Sequence, residues 1–165
     1  MKLLIVDDHP IMRLGVRQLI EREWPDAEID EAASLDEAVQ RFAARPAELV
    51  ILDLALPDAA GTESAARMLR VAPGMPILVL SLNAEAAYAA RLLQMGVACY
   101  LQKDRAGDEL ILAVRRLLDG GRYVTAAQAD RLLDLLDGKK PGALPHELLS
   151  AQEHRVMQLI AAGRS

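Results

Sequence analysis

Short apolar runs that alternate with segments of helical periodicity constrain this chain more than any other feature. Leu3-Leu4-Ile5-Val6, Leu49-Val50-Ile51-Leu52, Ile77-Leu78-Val79-Leu80 and Val97-Ala98-Cys99-Tyr100-Leu101 show no polar alternation. Strands of that kind are buried on both faces, as the inner strands of a parallel sheet covered by helices are. Between them stand helical stripes. Met12, Val16, Leu19 and Ile20 form one; Leu35, Ala38, Val39, Phe42 and Ala43 form another, opened by Ser34 and Glu37 at capping-box spacing. Weaker Ala-rich stripes occupy 62–72 and 84–95, and Leu110, Val114, Leu117 and Leu118 form a strong one. Glu28-Ile29-Asp30-Glu31-Ala32 is the one strand polar along its length, which suits a sheet edge.

Five β-α units predict a flavodoxin-like (βα)5 fold with parallel sheet order 2-1-3-4-5. Its switch point lies between the strands ending at Asp7-Asp8 and at Asp53. Three carboxylates then meet at the carboxyl edge of the sheet, where open α/β sheets place their ligands. Clustered like charges repel, so a hard divalent cation is the simplest occupant, and Mg²⁺ is the natural candidate. Ser81 and Lys103 follow the next two strands and bring a hydroxyl and an ammonium to the same edge. Mg²⁺, hydroxyl, ammonium and a free carboxylate together suit a phosphoryl group.

In this ordered set (acidic pair, Asp, Ser and Lys, each after a successive strand) residues 1–120 resemble the receiver domains of two-component response regulators. The resemblance implies that Asp53 is the phosphoacceptor. It implies Mg²⁺ held by Asp8 directly, by Asp7 through water, by Asp53 and by the Ala55 backbone carbonyl. Lys103 and Ser81 would bind the phosphoryl group, and Tyr100 would be an aromatic switch that turns inward when Ser81 moves toward it. The partner implied is a cognate sensor histidine kinase, with homodimerisation following phosphorylation. His9 reads instead as a loop residue leading into Pro10 and the first helix, because Mg²⁺ prefers oxygen.

Other classes fit less well. An aspartate-nucleophile phosphohydrolase expects a second Asp two positions after the first, where this chain has Ala55. A flavin- or nucleotide-binding module wants a Gly-rich or hydroxyl-rich phosphate loop after the first strand, whereas Asp7-Asp8-His9-Pro10 repels an anion. The reading is a phosphoryl-receiving switch rather than an enzyme.

Composition agrees. With 52% hydrophobic but only 3% aromatic residues, the core must be mostly Leu, Val, Ile and Ala. The lone Cys99 excludes an internal disulfide and reads as a small buried apolar residue. Met68, Met75, Met95 and Met157 read as packing. No leader and no apolar run of membrane-spanning length is present, so a cytoplasmic protein without membrane association is expected.

The net charge of −5 is unevenly spread: Lys139, Lys140, Arg155 and Arg164 against Glu147 and Glu153 make 139–165 basic by +2, leaving −7 before it. After Asp119-Gly120-Gly121, residues 121–145 read as a linker with a helix marked by Ala129, Leu132, Leu133 and Leu136, then Asp137 to Gly142. In 146–165, Ser150-Ala151-Gln152-Glu153 opens a helix with Val156, Leu159 and Ile160 on one face and Gly163 at its end. This segment resembles the opening of a LuxR-type helix-turn-helix domain, with Gln152 in place of the usual Arg. The whole is similar to the NarL/FixJ subfamily of transcriptional regulators. In that subfamily the two helices that follow carry the recognition helix, so no DNA-binding residue is assigned here and DNA is expected as a partner only of a full-length form.

Overall fold

The computed structural model describes residues 1–82, 86–126, 128–130 and 133, with the backbone alone at 86, 87 and 108. The elements are β1 (Lys2–Val6), α1 (Pro10–Glu23), β2 (Glu28–Ala32), α2 (Leu35–Ala44), β3 (Leu49–Asp53), β4 (Ala55–Leu56), β5 (Ala59–Ala60), α3 (Thr62–Val71), β6 (Ile77–Ser81), α4 (Ala86–Met95), β7 (Cys99–Gln102) and α5 (Ala106–Leu118). The main sheet runs β2-β1-β3-β6-β7, parallel throughout. Setting aside the antiparallel pair β4-β5, this is the expected order, with polar β2 at the edge.

Alternate residues of each inner strand enter opposite cores. Leu4, Val6, Val50, Leu52, Ile77 and Val79 pack with Ala38 of α2, Met68 of α3 and Leu92 of α4. Leu3, Ile5, Leu49, Ile51, Leu78 and Leu80 pack with Val16 and Ile20 of α1 and Leu110, Val114 and Leu117 of α5. Strand periodicity of two sorts the apolar runs into two layers, and that is why they lack polar alternation.

Local departures have local causes. The last strand begins at Cys99 rather than Val97 because Val97 still belongs to the end of α4. Its amide donates to the Leu92 carbonyl at 3.1 Å and that of Gly96 to Leu93 at 3.1 Å, with Gly96 at φ +110°, a Schellman closure. At α2 the Glu37 amide donates to Ser34 Oγ at 3.2 Å, but the Glu37 carboxylate accepts from Ala33 at 2.8 Å rather than from Ser34 itself. The β4-β5 hairpin was not expected, since two-residue strands carry no readable period. Met68 is buried and Met75 packs on the core, but Met95 stands 36% exposed. Among the described residues no helix is long and apolar enough to cross a membrane.

The chain beyond α5 lies along the outer edge of β7. Tyr123 forms a parallel bridge with Cys99, and Thr125 and Gln128 cap each other, the Thr125 amide donating to Gln128 Oε1 at 3.0 Å and the Gln128 amide to Thr125 Oγ1 at 3.4 Å. The buried Gln128 amide group then donates from Nε2 to the Tyr100 carbonyl at 2.9 Å. Gln128 thus takes the inward position, while Leu133, expected on the apolar stripe, is 60% exposed. Leu132, Leu136, Met157 and everything assigned to 134–165 lie outside the described residues. Replacing Gln128 with Ala leaves the Tyr100 carbonyl short of a buried donor, so unfolding stability is expected to fall by about 1–3 kcal/mol. Urea denaturation followed by far-UV circular dichroism measures it; an unchanged midpoint would show the contact to be idle.

Candidate functional site

The site is made by strand ends. β1 and β3 are neighbours in register, Val6 beside Leu52, so Asp7 and Asp53 leave the sheet side by side. Each carboxylate also shapes the turn that follows it: Asp7 Oδ1 accepts from the His9 amide at 2.8 Å, and Asp53 Oδ1 from the Ala55 amide at 3.2 Å. These are Asx turns, the ordinary work of a strand-end Asp. One oxygen of each is thereby occupied and the other is aimed elsewhere.

The other oxygens face Lys103. Its Nζ donates to Asp7 Oδ2 at 2.9 Å and to Asp53 Oδ2 at 2.7 Å, and all three side chains are almost wholly buried. Burial alone would lower the ammonium's pKa, but the hydrogen bonds and charges of Asp53 and Asp7 outweigh it and hold the pKa above the ordinary lysine value. Lys103 is therefore charged throughout the neutral range.

One ammonium does not balance the cluster. Ligand atoms of Asp7, Asp8, His9 and Asp53 lie within 4.8 Å of one another. Asp8 Oδ1 is buried without a hydrogen-bond partner, although His9 Nδ1 sits 2.7 Å away. A carboxylate oxygen shielded from solvent and without a hydrogen bond is unfavourable, and three carboxylates against one lysine leave negative charge over, with the exposed His9 ring the other group of opposite sign beside Asp8. Both observations fit a hard divalent cation with oxygen ligands, so the residues present suit the group expected of them. The His9 ring is 63% exposed, consistent with a loop residue at the start of α1.

Ser81 ends β6 and is buried beside the same edge. Tyr100 already lies inward, 1% exposed, its ring edge-on to Tyr88 with centroids 6.3 Å apart and planes at 78°. Tyr88 in turn crowds the loop after Asp53. Gly61, which opens α3 at φ +60°, has its missing Cβ position 2.9 Å from the Tyr88 hydroxyl, so only glycine fits there. Cys99 is buried, and burial pushes its thiol pKa up, as suits an inert core residue.

Sequence reasoning missed several residues. Arg13, one turn into α1, donates from Nη1 to the Asp7 carbonyl and from Nε to Glu31, each at 2.7 Å, tying the acidic loop to edge strand β2. Arg17 pairs with the same Glu31 carboxylate and donates to the Ile29 carbonyl at 3.0 Å. Burial works against the Glu31 charge, but the two arginines more than offset it and keep its pKa below the ordinary value. An Arg on the first helix, five and six residues past the two members of an acidic pair, was the available signal. Tyr88 and Gln128 gave none, because an isolated Tyr or Gln in a helix has no pattern to break.

Comparison with known proteins follows the same line. Residues 3–115 match the response regulator receiver domain family. The chain is 29% identical over 162 residues to the response regulator UvrY of Escherichia coli, covering 98% of this chain and 74% of that one. Among solved structures it resembles a LuxR-family two-component response regulator from Aurantimonas, with TM-score 0.72, 29% identity, and 82% and 97% of the two chains covered. It also resembles RcsB of Salmonella enterica serovar Typhimurium, bound to a promoter in the presence of the phosphomimetic BeF3−, with TM-score 0.74, 26% identity, and 99% and 78% covered. A parallel sheet that converges Asp7, Asp53 and Lys103 thus coincides with the family's extent along the sequence, and the chain belongs to the receiver-domain family of two-component response regulators, in the NarL/FixJ subfamily with its LuxR-family members.

Proposed function

We propose that Asp53 accepts a phosphoryl group from the phosphohistidine of a cognate sensor kinase. The observation that carries this reading is the Lys103 ammonium, buried between Asp53 and Asp7 and touching both. In the transfer an Asp53 carboxylate oxygen forms a bond to phosphorus as the donor's N–P bond breaks, the electron pair leaving on the imidazole nitrogen. Lys103 exchanges a carboxylate contact for the incoming phosphoryl oxygens, and the Ser81 hydroxyl donates to another. Mg²⁺, held by Asp8, Asp53, the Ala55 carbonyl and Asp7 through water, would neutralise the charge gathered on those oxygens. The added charge biases the surface of α4, β7 and α5 through Ser81 and Tyr100. The output is transcriptional control through a LuxR-type domain in the full-length protein, with homodimerisation on phosphorylation; the promoter-bound RcsB structure supports the first part of this reading, and a structure of RcsB dimers bound to DNA supports the dimer. The domain division at 120 and 145 and a cytoplasmic location belong to the same proposal. Intact mass after incubation with Mg²⁺ and a small phosphodonor is expected to show one added phosphoryl group, absent when the metal is chelated.

The metal assignment has its own test. Asp8→Ala removes an oxygen that has no hydrogen bond and one charge, so Mg²⁺ affinity is expected to fall at least about tenfold while the fold survives, the repulsion in the metal-free state being relieved. Trp24 ends the 14-residue α1, about 20 Å from Asp8 along the helix, so calorimetry rather than its fluorescence is the readout. Unchanged affinity would remove Asp8 from the ligand set.

A further inference from the structure

The loop that follows Asp53 is a hairpin with a tether at its tip. Ala55 pairs with Ala60 and Leu56 with Ala59, leaving Pro57 and Asp58 as the turn, and the Gly61 amide closes the base on the Leu54 carbonyl at 2.8 Å. The Asp58 carboxylate reaches across to α2, accepting from the Leu35 amide at 2.9 Å and from the Asp36 amide at 2.7 Å. Both oxygens are used, and they sit on the positive end of the helix. Burial works against the Asp58 charge, but these amides outweigh it and hold the carboxyl pKa low.

Ser34 caps α2 locally at the Glu37 amide, and the Glu37 carboxylate holds the Ala33 amide just ahead of the helix; the Leu35 and Asp36 amides are left to Asp58. The one carboxylate therefore joins the hairpin tip to the first turn of the helix by two hydrogen bonds. A two-residue-per-strand hairpin has little stability of its own. Its base carries Ala55, whose amide holds Asp53 Oδ1 and whose carbonyl is assigned to the metal.

We infer that Asp58 is a positioning residue for the metal site, clamping the hairpin tip to the N-terminus of α2 so that the Ala55 backbone is held in place against Asp53 and Asp8. The inference rests on the reading of the acidic cluster as a Mg²⁺ site. It assigns to α2, which contributes no ligand, a part in metal binding.

The test uses the whole 165-residue chain, titrated with MgCl2 by calorimetry. Asp58→Ala is expected to weaken Mg²⁺ binding roughly tenfold, the scale of losing an outer support of a metal site. Asp58→Asn, which keeps one acceptor oxygen and the side-chain shape, is expected to fall between, and it serves where the Ala variant folds poorly. Ser34→Ala is the control: it weakens α2 without releasing the hairpin, and its Mg²⁺ affinity is expected to match the unsubstituted chain. In metal-free protein, hydrogen exchange at the Gly61 amide is expected to quicken in both Asp58 variants and not in Ser34→Ala. Unaltered Mg²⁺ affinity in the Asp58 variants, or an equal loss in Ser34→Ala, overturns the inference. Failure of the unsubstituted chain to bind Mg²⁺ would instead overturn the reading of the cluster, and the inference with it.

Discussion

Asp53→Asn is expected to abolish the phosphoryl adduct. In the unsubstituted chain a phosphodonor with Mg²⁺ should give one adduct, stable in acid and labile in base, as an acyl phosphate is. The amide of the variant is not a nucleophile at any ordinary pH, and it withdraws a charge from the oxygens that face Lys103. The substitution preserves shape: an Asn oxygen still accepts from the Ala55 amide, so the turn after β3 is kept and the loss is chemical rather than structural. Near-native melting with no mass gain is therefore the expected pair of results. The competitors sit close by. Asp7 and Asp8 belong to the same cluster. Labelling that persists in Asp53→Asn would move the acceptor to one of them and discard the assignment, whereas labelling lost together with the fold would be settled by Asp53→Ala or Asp53→Glu under the same conditions.

What the sequence made legible follows from range. Leu49 to Leu52 announces a strand buried on both faces because every neighbour it will meet is apolar, whichever helix supplies it. The polar run from Glu28 to Ala32 announces an edge for the opposite reason, and Arg13 and Arg17 come to its Glu31 from α1. The ordered carboxylates and ammonium were readable because strand ends in a parallel sheet converge whatever the intervening helices contain; the structure brings Asp7, Asp53 and Lys103 into contact, groups Asp8 with the two aspartates, and ends β6 at Ser81. What was not readable depends on distances between elements. Asp58 looks like a turn residue in Pro57-Asp58-Ala59, and nothing local says that its carboxylate ends on amides twenty-odd residues earlier. Gln128 looks like a surface residue of an Ala-rich helix until the edge of β7 is placed against it. Val97 was counted as strand because apolar composition does not separate the last turn of a Schellman closure from the first residue of a strand.

Lys103→Ala is expected to move metal binding and phosphoryl transfer in opposite directions. The ammonium compensates two buried carboxylates, at 2.9 Å from Asp7 and 2.7 Å from Asp53. Its removal leaves those charges unpaired, a change that costs about 3–5 kcal/mol when a buried pair is broken from one side. Mg²⁺ can supply the missing positive charge, and with no ammonium to repel it the cation is expected to bind about tenfold more tightly than in the unsubstituted chain. Mass action then returns part of the lost stability at high Mg²⁺, so the melting temperature of the variant rises more steeply with Mg²⁺ than that of its parent. Phosphoryl transfer goes the other way, because the contact that would hold the incoming oxygens is gone. The pH dependence has a definite sign. A lysine whose folded-state pKa is raised contributes its full stabilisation below the ordinary lysine value and loses it only as pH climbs through the raised one, so the stability gap between parent and variant should be flat from neutral pH upward and close only in strongly alkaline solution. Thermal melts across a Mg²⁺ series, paired with the rate of adduct formation, test both halves. Weaker Mg²⁺ binding in the variant would mean that Lys103 organises the carboxylates as metal ligands rather than competing for them, and the electrostatic account of the site would have to be replaced.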